Sequence, residues 1–270
     1  MLLKRLTAFL MCIITVSATV YSVFTYRFFD KPLSEAQKEA FCKEISLPDG
    51  FLLTASADSF DAVRNSDESV LSNFKSGSYA IELNVAFTDD SVPVLADGYE
   101  YVTDKAVTLE SVFSLLKNKT YLRYIINITE QADYSVFNRI VEEYSLTERI
   151  IISGFTVDEL DLMMTGLYSY SACVDINVDG DLSDPEYCRT LVDEISNYTP
   201  FAMRLSVEDV TKEFADAVTE NHIVSLFIDN VDSSYDMFYA LSLNPGGIIS
   251  KDPHKLYSIL VEQDLLDYKR

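Results

Sequence analysis

The sequence predicts a (β/α)₈ barrel preceded by one amino-terminal transmembrane helix. Apolar segments of strand length alternate with segments of helix length at intervals of roughly 25–30 residues, which is the pattern of a parallel sheet. Eight such units follow one another, and eight is the number at which a parallel sheet closes into a barrel; an open doubly wound sheet is the alternative. Residues 6–26 contain no charged side chain, and about 20 apolar residues span a bilayer as a helix.

The predicted elements begin after residue 32. An amphipathic helix over 33–45 comes first, with Ser34 as a candidate cap. The predicted strands cover residues 51–55, 79–87, 121–128, 149–153, 171–176, 201–206, 223–229 and 247–250. The predicted helices cover residues 67–75, 109–117, 134–144, 157–167, 186–198, 207–220, 235–243 and 253–262. Thr108, Thr156 and Pro253 are the residue types that favour a helix start.

The amino-terminal segment divides the chain into three predicted parts. Residues 1–31 form a membrane anchor, 32–50 an amphipathic linker helix and 51–270 the barrel. A cleaved signal peptide is the alternative, because Lys4 and Arg5 precede the apolar run. The apolar run is longer than the usual signal sequence, which favours the anchor. Lys4 and Arg5 also favour a cytoplasmic amino terminus, which predicts a single-pass protein of the cell membrane with an extracytoplasmic barrel.

The composition excludes two classes of protein. A net charge of −22 is incompatible with nucleic-acid binding, which requires clustered Lys and Arg. A hydrophobic content of 48% excludes a disordered chain.

The segment from Gly77 to Gly98 carries the first candidate site. Glu82 and Asn84 lie two residues apart on a predicted buried strand, so their side chains share a face. A buried carboxylate and amide are costly to desolvate unless they have partners. Active sites of (β/α)₈ barrels lie at the carboxyl ends of the strands, where these two residues are expected.

Four sequence blocks resemble the glycerophosphodiester phosphodiesterase family. The blocks are IELNV with TDDSVPV and Asp97, then TLESVFSLLK from Thr108, then ERIIISGF from Glu148, and GGIISKDP from Gly246. A fifth, ESVLSNF from Glu68, resembles a further family segment upstream. The resemblance covers residues 51 to 262 and implies the family's barrel fold and a place in lipid metabolism.

The resemblance also implies that the family's catalytic chemistry is missing. Members hydrolyse glycerophosphodiesters with a metal ion and two histidines that act as acid and base. The first histidine and the arginine that faces the phosphate align with Ala55 and Ser56, and the second histidine aligns with Ala96. The remaining residues would form a vestigial pocket. Glu82 is the one metal-binding carboxylate that is retained. Asn84 and Asn127 carry amides at the positions of two other metal carboxylates, and Asp97 follows the position of the second histidine.

The two histidines of the chain give an independent check. His222 is predicted at the start of a strand, which is the wrong end of the barrel. His254 follows Pro253 in the first turn of a helix, where we expect it to be exposed. Neither position can supply an imidazole pair for general acid–base catalysis.

A buried Glu82 without a metal ion requires a basic partner, because unpaired burial of a charge costs several kcal/mol. Arg123 and Arg204 are the candidates, since both lie in predicted strands of the same barrel. The sequence leaves the choice between them open.

Residues 175–186 match the calcium-loop template D-x-[DN]-x-[DN]-G-x₅-E. The side chains of Asp175, Asn177, Asp179 and Glu186 and the carbonyl of Asp181 would be the ligands. The alternative is an ordinary turn followed by a helix cap, in which Ser183 and Glu186 form a capping box. Calcium loops of this kind usually follow a helix, whereas this segment follows a predicted strand. This difference favours the alternative.

These observations predict a membrane-anchored, glycerophosphodiester phosphodiesterase-like protein that is a pseudoenzyme without a cofactor and acts as a binding or scaffold module. The expected partners are the membrane and either a glycerophosphodiester-like ligand or another protein. The alternative function is a divergent phosphoric diester hydrolase in which Glu82, Asp97 and either Asp175 or Asp229 hold a water activated by Ca²⁺ or Mg²⁺. Paired carboxylates can act as acid and base without histidine. A purely structural role at the cell surface is the third hypothesis.

Overall fold

The protein folds as a closed barrel of eight parallel strands, as a computed structural model shows. The structure describes residues 33–57, 66, 70–71, 77–103, 105–128 and 130–265. Its strands are β1 (Leu52–Ala55), β2 (Ala80–Phe87), β3 (Pro93–Leu95), β4 (Arg123–Asn127), β5 (Ile150–Ser153), β6 (Ser171–Asp175), β7 (Ala202–Ser206), β8 (Ser225–Asp229) and β9 (Gly247–Ser250). They are ordered β1-β9-β8-β7-β6-β5-β4-β2, and the pairing of β1 with β2 closes the barrel. β3 pairs with β2 in the antiparallel direction and completes a hairpin outside the parallel ring.

One described helix precedes the first strand, one follows the last strand, and the others connect strands of the barrel. The helices are α1 (Glu35–Cys42), α2 (Leu109–Leu116), α3 (Ser135–Glu143), α4 (Leu160–Met163), α5 (Pro185–Ser196), α6 (Lys212–Asn221), α7 (Ser234–Ser242) and α8 (Pro253–Glu262). The predicted barrel is therefore confirmed, with strand ends trimmed by one or two residues. The predicted helix over 67–75 and the predicted anchor over 1–31 fall largely or wholly outside the described residues.

The strands are buried on both faces, and this explains their nearly continuous apolar sequences. Alternate side chains point into the barrel, where one set forms an inner cluster: Leu52, Ile125, Ile151, Cys173, Ala202, Phe227 and Ile249. The other set points outward and joins the helices in one large hydrophobic cluster. The inner positions become polar towards the carboxyl ends of the strands, which places the candidate site there.

Helix α1 packs against the barrel and is not a free linker. Ser34 and Gln37 form a capping box at its start. The ring of Phe41 lies 5.8 Å from the ring of Tyr235 and 6.4 Å from that of Phe238, both on α7. These ring contacts hold the segment that precedes the barrel against its outer layer of helices.

Three predicted helix starts or lengths were wrong. The helix predicted over 157–167 is a 3₁₀ turn at Val157–Glu159 followed by the four residues of α4. Helix α6 begins at Lys212, because Thr211 caps it and accepts a hydrogen bond from the Phe214 N–H. Helix α5 is capped by Asp184, which accepts from the Glu186 N–H, so the capping box with Ser183 does not form.

The described part of the chain does not include the predicted membrane anchor, residues 1–31. No helix there is long and apolar enough to cross a bilayer. The predicted anchor was therefore not tested, and it remains a prediction from residues 6–26.

Candidate functional site at the barrel mouth

The carboxyl ends of the parallel strands bring six polar side chains to one mouth. They come from five strands and are Glu82 and Asn84 on β2, Asn127 on β4, Asp175 on β6, Arg204 on β7 and Asp229 on β8. The strand register places Asn84 beside Asn127, and Asp175 beside Arg204. Neighbouring residues of a parallel register point to the same face, so these pairs meet inside the barrel.

Glu82 lies at the centre of this group and is only 5% exposed. Its Oε2 accepts a hydrogen bond from the Ala57 N–H at 3.1 Å. Its Oε1 accepts from Asn127 Nδ2 at 2.8 Å and from Arg204 Nη1 at 2.9 Å. The prediction that a strand arginine pairs with Glu82 is confirmed for Arg204. Arg123 lies instead at the amino-terminal end of the barrel, where its guanidinium carbon is 6.0 Å from the centre of the Phe201 ring.

Arg204 connects Glu82 to Asp175 through a planar fork of donors. Its Nε donates to Asp175 Oδ1 at 2.6 Å, and its Nη2 donates to Asp175 Oδ2 at 3.0 Å. Its Nη1 also lies 3.3 Å from Asn127 Oδ1. Burial alone would lower the pKa of Arg204, but the hydrogen bonds and charge of Asp175 and the charge of Glu82 outweigh it. The net effect raises the pKa of Arg204 above its ordinary value, so the guanidinium is permanently charged.

Amide groups extend the network from Glu82 to the rim of the mouth. Asn127 Nδ2 donates to Asn84 Oδ1 at 2.9 Å, and Asn84 Nδ2 donates to Asp97 Oδ1 at 2.7 Å. The four residues predicted as a vestigial pocket therefore lie in one connected chain of hydrogen bonds. Arg204 and Asp175 belong to the same network. The sequence analysis predicted Arg204 as a candidate partner of Glu82, and Asp175 as a ligand in the calcium loop.

Asp229 is the carboxyl group of the mouth whose ionisation is most perturbed. Burial and the negative charge of Glu82 raise the pKa of Asp229 to about 6, with a smaller contribution from Asp175. Arg204 and the Asn230 N–H, which donates to Asp229 Oδ1 at 2.6 Å, act in the opposite direction. The mouth therefore contains a carboxyl group whose pKa is shifted towards neutral pH.

The positions that the sequence resemblance aligns with catalytic residues hold small side chains. Ala55 pairs with Ile81 and Ser250 in the barrel wall, the Ser56 N–H donates to the Ser250 carbonyl, and Ala96 is buried. His222 caps helix α6 with a φ of 60° and is not in a strand. His254 is exposed in the first turn of α8, as predicted. Neither imidazole hydrogen-bonds to the Glu82 network.

The calcium-loop residues are not gathered around a common centre in the described part of the chain. Asp175 is held by Arg204 in a two-point ion pair. The Asp181 carboxylate accepts from the N–H and the hydroxyl of Ser183, and these bonds lower its pKa. No group of three or more His, Cys, Asp or Glu side chains is placed to hold a metal ion among the described residues. Calcium binding by this loop stays a prediction.

The mouth is also a poor fit for a divalent cation. Both oxygens of Glu82 already accept hydrogen bonds, and the amides of Asn84 and Asn127 are directed at each other and at Glu82. A guanidinium nitrogen lies where a cation would contact Glu82 Oε1 and Asn127 Oδ1. Mg²⁺ and Ca²⁺ require several free oxygen ligands, preferably anionic, and this arrangement does not offer them.

Comparison with known proteins identifies the fold but no close relative. No family model matches the sequence, and no curated protein matches it. The fold is similar to a protein assigned as a glycerophosphoryl diester phosphodiesterase from Silicibacter pomeroyi, with 12% identity and a TM-score of 0.64 over 83% of this chain and 97% of that one. A glycerophosphodiester phosphodiesterase from Parabacteroides distasonis gives 14% identity and a TM-score of 0.62 over 78% and 97%.

A third solved structure contains a bound product. It is a phosphodiesterase from Oleispira antarctica in complex with sn-glycerol-3-phosphate, with 8% identity and a TM-score of 0.60 over 82% of this chain and 99% of that one. The order of elements, the closed barrel and these similarities agree with the resemblance in the sequence. The chain has the barrel fold of the glycerophosphodiester phosphodiesterases.

Proposed function

We propose that this protein is a membrane-anchored, glycerophosphodiester phosphodiesterase-like barrel that binds a ligand at its mouth without hydrolysing it. The observation that carries the proposal is the 2.9 Å ion pair between Arg204 Nη1 and Glu82 Oε1. The carboxylate that would hold a catalytic metal ion is thereby neutralised from within the chain. Both oxygens of Glu82 also accept hydrogen bonds, from Ala57, Asn127 and Arg204.

The acid–base part of the hydrolysis also lacks its groups. Cleavage of a phosphodiester requires a base to activate water and an acid to protonate the leaving oxygen. Ala55 and Ala96 have no titratable group, and the two imidazoles lie outside the network. The barrel thus keeps the fold of the hydrolases, but the guanidinium of Arg204 lies where their metal ion would bind.

A hydrolysis assay tests this proposal. The purified protein is incubated with glycerophosphodiesters in the presence of Mg²⁺, Ca²⁺ or EDTA, and the release of glycerol phosphate is measured. We expect no turnover above the rate without protein. Turnover that Glu82→Ala abolishes would overturn the proposal, provided that the control Glu110→Ala, at an exposed position on α2, keeps the rate of the natural chain.

Ligand binding is tested separately with sn-glycerol-3-phosphate, the molecule bound in the Oleispira antarctica structure. Isothermal titration should give a measurable heat with the natural chain and a weaker affinity with Asn84→Ala, which removes an amide from the mouth. Absence of heat with the natural chain would exclude this ligand and favour a protein partner at the same surface.

Membrane anchoring rests on the uncharged run of residues 6–26. Expression of the full chain should place it in the membrane fraction, resistant to extraction by high salt and released by detergent. A chain that lacks residues 1–31 should appear in the supernatant. Recovery in the supernatant of a chain that has been cleaved near residue 26 would identify the segment as a signal peptide.

The second candidate function is divergent hydrolysis of the same substrates, and Asp229 is the observation that favours it. A carboxyl group with a pKa of about 6 can act as a general acid near neutral pH. Under this hypothesis Asp229→Asn abolishes a turnover that the natural chain shows. The hydrolysis assay above distinguishes the two functions.

A further inference from the structure

We infer that the guanidinium of Arg204 is the resident cation of the barrel mouth and stands in the place of a divalent metal ion. This inference deepens the proposed function, because it explains how the mouth stays folded and charged without a metal. It also makes a statement about the chain that hydrolysis does not test: removal of the guanidinium should convert the same oxygen atoms into a metal site.

The geometry around the guanidinium is that of a cation in an oxygen cage. All three of its nitrogens contact side-chain oxygens, at 2.6 and 3.0 Å to Asp175, 2.9 Å to Glu82 and 3.3 Å to Asn127. These oxygens come from β2, β4 and β6, on three strands other than that of the arginine. Oxygen atoms of carboxylates and amides from several strands are the ligands that hard divalent cations prefer.

The charge of the mouth requires a cation. Glu82, Asp175 and Asp229 lie near one another in a partly or fully buried setting, and Arg204 is the positive group they surround. Like charges at short range in a medium of low polarity destabilise the fold unless a counter-charge is present. One guanidinium does not neutralise three carboxylates, and the raised pKa of Asp229 agrees with a remaining excess of negative charge.

The choice of arginine fits the directions of the contacts. Nε and Nη2 form a two-point contact with Asp175, and Nη1 points to the opposite side of the fork, towards Glu82 and Asn127. A lysine offers a single compact charge and cannot reproduce both contacts in one plane. Unlike a metal ion, the guanidinium cannot dissociate, so the mouth should not respond to chelators.

The test is a metal titration of four purified chains: the natural protein, Arg204→Ser, Arg204→Met and Arg204→Lys. Binding of Mn²⁺ is followed by electron paramagnetic resonance of the free ion, and stability by the melting temperature in EDTA and in Mn²⁺. Arg204→Ser removes the charge and leaves space among the oxygens, whereas Arg204→Met removes the charge and fills most of the space. Arg204→Lys keeps the charge.

We expect one stoichiometric Mn²⁺ on Arg204→Ser and none on the other three chains. The melting temperature of Arg204→Ser should be low in EDTA and rise by about 5–10 °C at Mn²⁺ concentrations a hundredfold above its dissociation constant. The double variant Arg204→Ser with Glu82→Gln should lose this response, because it removes an anionic ligand. The melting temperature of the natural chain should be equal in EDTA and Mn²⁺.

Three results would overturn the inference. The first is that Arg204→Ser neither binds Mn²⁺ nor gains stability from it. A variant that remains unfolded with and without the ion counts as this result. The second is a natural chain that binds Mn²⁺ and loses it on Glu82→Gln. The third is an equal response in Arg204→Met. Metal-free turnover by the natural chain would refute the proposed function and leave this inference standing, so the two can fail separately.

Discussion

Asp229 gives the sharpest quantitative prediction, since its ionisation opposes folding at neutral pH. The carboxyl group has a pKa of about 6 in the folded protein and an ordinary value of 3.8 in the unfolded chain. The folded state therefore binds the proton more tightly. As a consequence, the contribution of Asp229 to stability is most favourable below about pH 4, decreases as the pH rises to about 6, and is constant above that.

The magnitude follows from the size of the shift. A difference of roughly two pKa units corresponds to about 3 kcal/mol, at 1.36 kcal/mol for each unit. This is an upper bound, because Asp229 is partly exposed and its charge is shared with Glu82, Asp175 and Arg204. We expect Asp229→Asn to be more stable than the natural chain by about 1–2 kcal/mol above pH 7, since it removes the charge and keeps the shape.

The assay is urea unfolding of both proteins at a series of pH values between about 4 and 8. The chain contains 43 acidic residues, so the absolute stability will vary with pH for many reasons. The difference between the two proteins cancels the groups that they share and isolates Asp229. The control Asp158→Asn makes the same chemical change at an exposed position on the 3₁₀ turn that follows β5.

The stability difference between Asp229→Asn and the natural chain should be near zero at pH 4 and grow through pH 6. A difference that is the same at pH 4 and pH 8 would refute the reasoning, because it would arise from packing and not from the proton. A natural chain that gains stability relative to the variant as the pH rises would refute it more strongly. Asp158→Asn should show no such trend.

Two further substitutions test the packing of the mouth and of the wall beside it. Arg204→Met should reduce the free energy of unfolding, measured by urea unfolding, by about 3–5 kcal/mol, because it leaves the buried Glu82 without a counter-charge. A loss below about 1 kcal/mol would contradict the role given to the ion pair. Gly154→Ala should cost about 1–3 kcal/mol, because Gly154 has a φ of 99° and a Cβ would lie 3.1 Å from the backbone N and O of Ile128. The control Gly50→Ala has a φ of 81° but open space around the added carbon, so thermal melting should show a smaller loss.

The barrel could be predicted from the sequence because its strands are buried on both faces. Such strands are continuous apolar runs, and their spacing along the chain gives the count of eight directly. The length of helix α4 was overestimated. The segment after Thr156 has helical periodicity, but the sequence does not show where tertiary packing ends the helix. Helix α6 starts late because the segment after β7 first forms a turn, in which the Val210 N–H donates to the Ser206 carbonyl.

The sequence predicted only part of the pairing between Glu82 and its arginine. The sequence shows that Glu82 needs a cation, since burial of an unpaired carboxylate is costly. It does not show the relative height of strands around the barrel, so Arg123 and Arg204 were equal candidates. The structure separates them by their places within the strands: Arg123 opens β4, whereas Arg204 is the middle residue of β7. The raised pKa of Asp229 depends on three-dimensional distances and has no signal in the sequence.

The Arg204 fork bears on whether any phosphodiester chemistry is possible at this mouth. A catalytic metal ion works through an open coordination position, which binds water or a phosphoryl oxygen and polarises it. The guanidinium of Arg204 has no corresponding position, because it acts only through N–H groups, and its nitrogens already make four hydrogen bonds to Glu82, Asn127 and Asp175. It can stabilise the acidic cluster but cannot coordinate and activate a water molecule as a metal ion does. The presence of Glu82 is therefore explained by the folding of the barrel mouth and does not by itself indicate catalysis.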